Sequence, residues 1–309
     1  MITSVFRKST PLNFSLVVIL MLFFFLIFQF QDLSWTNTNF SILNKVGLFC
    51  LLIVSMFTTS FIAKRNGLSK DSLFTLFFYL LFILFFPTVL NNAHLLIANF
   101  FILLAIRRLI SLQSLKASKE KIFDASFCIF LAALFHFWSI LFILLVFTSI
   151  FFHVARDYRN WILPFLALLS VLILFLIFAT YFDINSLELL YESVQTNFEI
   201  DYFTNYYQNG AFSIFATLAL FFIVSIFITL SGKPQLVHAS YKKIISSFFI
   251  ATLVFIVSAN KSSDLLIFTI APLSILATSH IEMPQAKLNQ ELVFYSLVVC
   301  SMFAFFTQL

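Results

Sequence analysis

Apolar runs lie at 12–30, 46–63, 73–90, 94–110, 120–135, 138–155, 161–181, 211–230, 244–259, 265–280 and 292–308. A bilayer core about 30 Å thick needs about 20 residues of helix, fewer where flanking side chains snorkel. The pattern predicts an all-α, polytopic membrane protein with about eleven transmembrane helices in a single domain over 1–309. Two stretches are too long for one straight helix. The stretch at 73–110 is interrupted by Pro87 and by NNAH at 91–94, and that at 122–155 only by HFWS at 136–139. Each reads as a helical hairpin. Discounting one hairpin gives nine spans with the same sidedness. The first run is longer than a signal-peptide core and has no small-residue cleavage site, so it is expected to stay attached as the first helix.

Lysine and arginine played no part in placing these runs, so they test the arrangement independently. With the N-terminus in the cytoplasm, sixteen of the eighteen basic residues fall on the inner side, and only Lys45 and Lys261 fall outside. That bias satisfies the positive-inside rule. It predicts a bacterial inner-membrane protein with a cytoplasmic N-terminus and an extracytoplasmic C-terminus. Composition agrees: 61% of residues are hydrophobic, 10% are charged, and the mean hydropathy is +1.04. Soluble domains carry about 25% charged residues. A soluble enzyme and a nucleic-acid-binding domain are therefore excluded, and the net charge of +5 reads as loop chemistry of a membrane protein. The 47 phenylalanines point to no particular activity.

None of the four glycines falls mid-span, so G-x-x-x-G crossings and the broken helices of many secondary transporters are not expected. Cys50, Cys128 and Cys300 sit in apolar runs without metal or redox spacing, and no cofactor is expected. The basic stretch from Arg107 to Lys121 reads as orientation plus attraction to anionic lipid.

The outer face carries the candidate chemistry. The loop at 183–210 holds five of the thirteen acids and no basic residue. Leu187, Leu190, Tyr191 and Val194 fall at helical spacing and predict an amphipathic helix at 186–196. Asp201, Tyr202 and Tyr206 follow in a mixture of carboxylates, amides and aromatics that suits sugar binding or an interfacial aromatic belt. Asp32, Asn91, Asn92, His94, His136, Trp138, Lys261 and Asp264 are placed on the same face. Singly, each reads as a turn or cap residue. Together they make a candidate site in which Lys261 could pair with Asp264 or bind a phosphate.

Two resemblances bear on this. MITSVFRKSTPLNF at 1–14, NFFILLAIRR at 99–108 and KIFDASF at 121–127 resemble an uncharacterised family of multi-pass inner-membrane proteins of Bacteroidota. That resemblance implies location and topology only. FPTVLNNAH at 86–94, the helix ending in Arg107–Arg108, and KSSDLLIFTIAPL at 261–273 are similar in layout to GT-C-class polyprenyl-phosphate-sugar glycosyltransferases. The second resemblance implies Asp32 as general base, Lys261 as the donor-phosphate ligand, His94 or His136 assisting, and a lipid-linked sugar as substrate. The first outer loop departs from that class in holding a single Asp, and Lys261–Ser262 stands where the class has Arg-Tyr. Two functions therefore stay open. One is a non-catalytic subunit or scaffold of an envelope-biogenesis, secretion or transport complex, docking membrane-protein partners through 183–210. The other is a GT-C-like glycosyltransferase.

Overall fold

The computed structural model describes residues 6–182, 194–196, 205–259, 261–284 and 286–309. Of the described residues, 84% are helical. Among the described residues no strand forms, and Thr196 and Ser258 make one isolated antiparallel bridge. The helices are α1 (Pro11–Gln29), α2 (Asn39–Arg65), α3 (Phe74–Ile83), α4 (Ala93–Ser111), α5 (Ser118–Phe135) and α6 (Ile143–His153). They continue as α7 (Arg159–Tyr181), α8 (Tyr206–Thr229), α9 (Gln235–Val257), α10 (Ile267–Ile281) and α11 (Lys287–Thr307). Every apolar run of the sequence coincides with a helix. Among the described residues, eight helical segments are long and apolar enough to cross a membrane, whereas α3 and the 137–153 segment are shorter apolar helices. The charged first turns of α5 keep it outside the eight.

Helix ends follow local chemistry. Thr10 caps α1 by accepting from the Asn13 N–H, with Pro11 at the first helical position. Thr38 caps α2 in the same way. Its other end closes with Gly67 at φ 66°, where the Leu68 N–H donates to the Ala63 carbonyl at 2.9 Å. Only glycine takes that left-handed position without a Cβ penalty. Pro87 lies beyond the end of α3 rather than inside a helix. The 73–90 run breaks after α3, and Pro87 opens a 3-10 turn, Pro87–Asn91. Proline lacks an N–H and disfavours helix at the preceding residue, so the run ends there.

The centre is occupied by α10, whose spanning segment is 89% buried. Around it pack α3, α9, α8 and α4. All ten residues of α3 are buried. At the periphery, α1 and α7 are each 22% buried, and α7 leans on α5 through Ala167, Val171 and Phe130. Large apolar side chains such as Phe165, Leu169 and Ile177 line the exposed face of α7, as a lipid-facing helix requires. The interior is less featureless than the apolar runs suggest. Thr278 donates to Thr75 between α10 and α3 at 3.1 Å, and Asn99 donates to Tyr79 between α4 and α3 at 3.4 Å. Such pairs hold membrane helices together where hydrophobicity does not favour one apolar neighbour over another.

Candidate functional site

One end of the bundle gathers the sequence-predicted polar residues through the Asn91–Asn92 pair. Asn92 caps α4, its Oδ1 accepting from the Leu95 N–H at 3.3 Å. Its Nδ2 donates to Asp264 Oδ2 at 3.2 Å. Thr88 donates to the other oxygen of Asp264, and its hydroxyl also meets Ser263 at 3.2 Å. Asp264 lies in the 3-10 turn Ser263–Leu266 that leads into α10. Its carboxylate therefore ties the start of the central helix to the α3–α4 hairpin.

Asn91 reaches the other way. Its Oδ1 accepts from Gln29 at 2.8 Å and from Lys45 at 2.6 Å, joining α1 and α2 to the hairpin. Asp32 is exposed, and its charge acts on Lys45. Lys261 is half-buried, two residues before the turn that carries Asp264. His94 is exposed in the first turn of α4, its ring 6.4 Å from that of Phe135. His136 makes a separate contact, its Nε2 lying 3.1 Å from the Ser258 hydroxyl. Burial pushes this imidazole down to about 4, so it is neutral near pH 7. Trp138 donates to the Gln195 carbonyl at 3.3 Å, which pins residues 194–196 against the α5–α6 turn together with the Thr196–Ser258 bridge. Tyr206 is 89% exposed where α8 begins. Asp201, Tyr202 and nearly all of the amphipathic helix expected at 186–196 lie outside the described residues.

The geometry thus brings Asp264 together with Asn92 and Thr88, and Asp32 near Lys45, while His136 belongs to the loop contact. Gln29, Lys45 and Thr88 were not candidates from sequence. Lys45 carried a signal, being one of the two basic residues that the charge pattern sets apart from the other sixteen; Gln29 and Thr88 carried none beyond their place at the ends of apolar runs. Asp264→Ala leaves two donors without their acceptor and is expected to cost about 1–3 kcal/mol of stability in denaturant titrations. Asp264→Asn keeps one acceptor and should lose less.

The opposite end is basic and holds a second polar cluster that sequence reasoning missed. Glu282 follows α10, and its carboxylate accepts from the Lys70 N–H at 2.7 Å and from the Ser72 hydroxyl at 2.5 Å. Lys70 Nζ donates to the Glu282 carbonyl at 3.2 Å. Lys233 donates to Ser279 at 2.7 Å and to the Tyr241 hydroxyl at 3.2 Å, and the latter donates to the Leu68 carbonyl at 2.7 Å. Burial raises the Glu282 carboxyl against the pull of Ser72 and Lys70, and burial lowers Lys233 against the pull of Glu282. These groups border a cavity of about 670 Å³. Chemically the cluster is a latch: it fixes the 66–73 loop and the entry to α9 against the end of α10. No sequence motif announces it, because Lys70, Lys233 and Glu282 are far apart along the chain.

The family model described as a family of unknown function (DUF6427) matches residues 7–309. The chain belongs to that family. No curated protein and no solved structure matches it. With eight helical segments able to cross a membrane, this DUF6427 protein is an integral membrane protein of unknown activity. Among its described residues, no group of three or more His, Cys, Asp or Glu side chains is placed to hold a metal ion.

Proposed function

We propose that this DUF6427 protein is a non-catalytic subunit or scaffold of an envelope-biogenesis, secretion or transport assembly in a bacterial inner membrane. Its basic end faces the cytoplasm, its N-terminus is inside and its C-terminus outside, and the 183–210 loop is the docking surface for membrane-protein partners. One observation carries this reading: Asp264, the acid of the GT-C-like late segment, is engaged with Thr88 and Asn92 in a tie between helices. A substrate-binding carboxylate must offer an oxygen to its ligand, whereas one with both oxygens occupied by interhelical donors is suited to joining helices. The charge placement supports the orientation, since Arg65, Arg107, Arg108, Lys121, Lys233 and Lys70 gather at one end.

The test is complementation of a deletion strain by Asp32→Asn and Lys261→Ala, followed by affinity purification of the full chain. Wild-type growth with both variants, together with a stoichiometric membrane partner that is lost when 183–210 is replaced by a neutral linker, is the expected result. Loss of function in Asp32→Asn with normal protein levels would instead favour a transferase acting on a lipid-linked sugar.

A further inference from the structure

At the basic end, three helices bring cations around a second cavity, of about 540 Å³. Arg65 comes from the last turn of α2, Arg107 and Arg108 from the last turns of α4, and Lys121 from the first turn of α5. Among the described residues, no carboxylate lines this cavity. Its lining also includes the apolar side chains of Leu236 and Val237 at the start of α9.

The cations differ in how they are held. Lys121 is anchored, donating to the Ser111 carbonyl at 2.7 Å and to the Ser114 hydroxyl at 2.8 Å, where it caps the end of α4. Arg108 pairs with Asp124 at 3.0 Å. Arg107 and Arg65 instead share the ring of Phe61, their guanidinium carbons 4.6 Å and 5.4 Å from its centroid. The two guanidiniums are therefore no more than about 10 Å apart. Like charges held that close repel, more strongly beside a low-dielectric membrane than in water. Stacking on one ring fixes both side chains in place and leaves their N–H edges for a ligand. An exposed run of basic residues that served only to orient the chain would need neither the concave shape nor the shared ring.

We propose that this cavity binds a phosphate group, and that the phosphate is the headgroup of an anionic phospholipid in the leaflet at the basic end. Planar guanidiniums match phosphate oxygens two at a time, and basic pockets between membrane helices suit phospholipid headgroups. The apolar side chains of Leu236, Val237 and Phe61 suit the glycerol and first methylenes that a free phosphate lacks. The proposal stands whether or not the protein is a subunit of a larger assembly.

The full chain would be reconstituted into phosphatidylcholine nanodiscs, with and without phosphatidylglycerol, and bound lipid counted by native mass spectrometry. In the expected result wild-type protein retains one phosphatidylglycerol, and Arg65→Gln/Arg107→Gln weakens that retention at least tenfold. Lys287→Gln, a basic residue outside the cavity, should leave it unchanged. Arg65→Lys/Arg107→Lys keeps the charge without the planar fork; it should weaken retention several-fold and guards against a folding failure of the Gln pair. Equal retention by wild type and both double variants, or equal loss in Lys287→Gln, overturns the site. Inorganic phosphate in phosphatidylcholine discs is the remaining arm. If it stabilises the wild type against heat through Arg65 and Arg107 while phosphatidylglycerol is not retained, the lipid source is overturned.

Discussion

Phe294→Ala is expected to cost about 3 kcal/mol of stability, the low end of the range for emptying a buried phenylalanine site. Phe294 is 1% exposed and is the hub of an aromatic cluster that joins α11 to α3 and to the N-terminal segment. Its ring stacks on Phe77 at 5.2 Å and lies 5.9 Å from Phe6, 6.2 Å from Phe78 and 6.3 Å from Phe74. Water is not the alternative solvent here, so little hydrophobic transfer energy is at stake. The cost comes from dispersion attraction forfeited around a void that close-packed neighbours fill only in part. An apolar cavity of about 250 Å³ already borders Phe294, Phe77 and Phe6, and the partial collapse it allows sets the estimate at the low end. Phe303→Ala on the same helix is the control. Phe303 is 61% exposed on the bundle surface, where lipid chains replace whatever is removed, and its cost should be near zero. Thermal unfolding in one detergent distinguishes the two; equal losses would mean that the cluster does not hold α11.

Glu282→Ala is expected to destabilise the protein by about 2 kcal/mol near neutral pH, because the Ser72 hydroxyl and the Lys70 N–H lose their acceptor in a half-buried site. Glu282→Gln retains an acceptor and should be as stable as the wild type there, or more so. The pH dependence separates acceptor from charge. Burial raises the folded-state pKa of Glu282 above its ordinary 4.5. Between 4.5 and the raised value, the folded protein holds a proton that the unfolded chain has released. This group's contribution to stability is therefore greatest at the acid end of that window and falls as pH rises through it. Above the raised value the carboxylate is charged and half-buried in the folded state. Glu282→Gln should remove that decline. A variant that tracks the wild-type pH profile would show that the decline belongs to other groups.

The candidate site was legible only in part. Asn92 and Asp264 were visible as polar residues at the ends of apolar runs, and each does sit at a helix entry. Their pairing was not visible, because 172 residues separate them and any of several outer polar groups had equal claim on Asp264. The fold also sets Asp32 close enough for its charge to act on Lys45, 13 positions along the chain near the start of α2. The Glu282 latch left no trace, since its partners come from the loop after α2 and the entry to α9.

What the sequence determined by itself was whatever acts within one segment. Apolar length marked each helix, and lysine and arginine marked one end of the bundle; the caps at Thr10, Thr38 and Asn92 and the turn at Gly67 act within one segment in the same way. Tertiary structure decided which helices lie inside. The most apolar of the spanning helices, α7, is 22% buried, whereas the less apolar α10 is 89% buried. The physical reason is the solvent. In lipid an apolar side chain is equally at home facing the bilayer or another helix, so hydrophobicity selects the membrane without selecting a neighbour. Neighbours are chosen by shape and by scattered polar groups such as Thr75, Thr278, Asn92 and Asp264, whose partners exist only once the chain is folded.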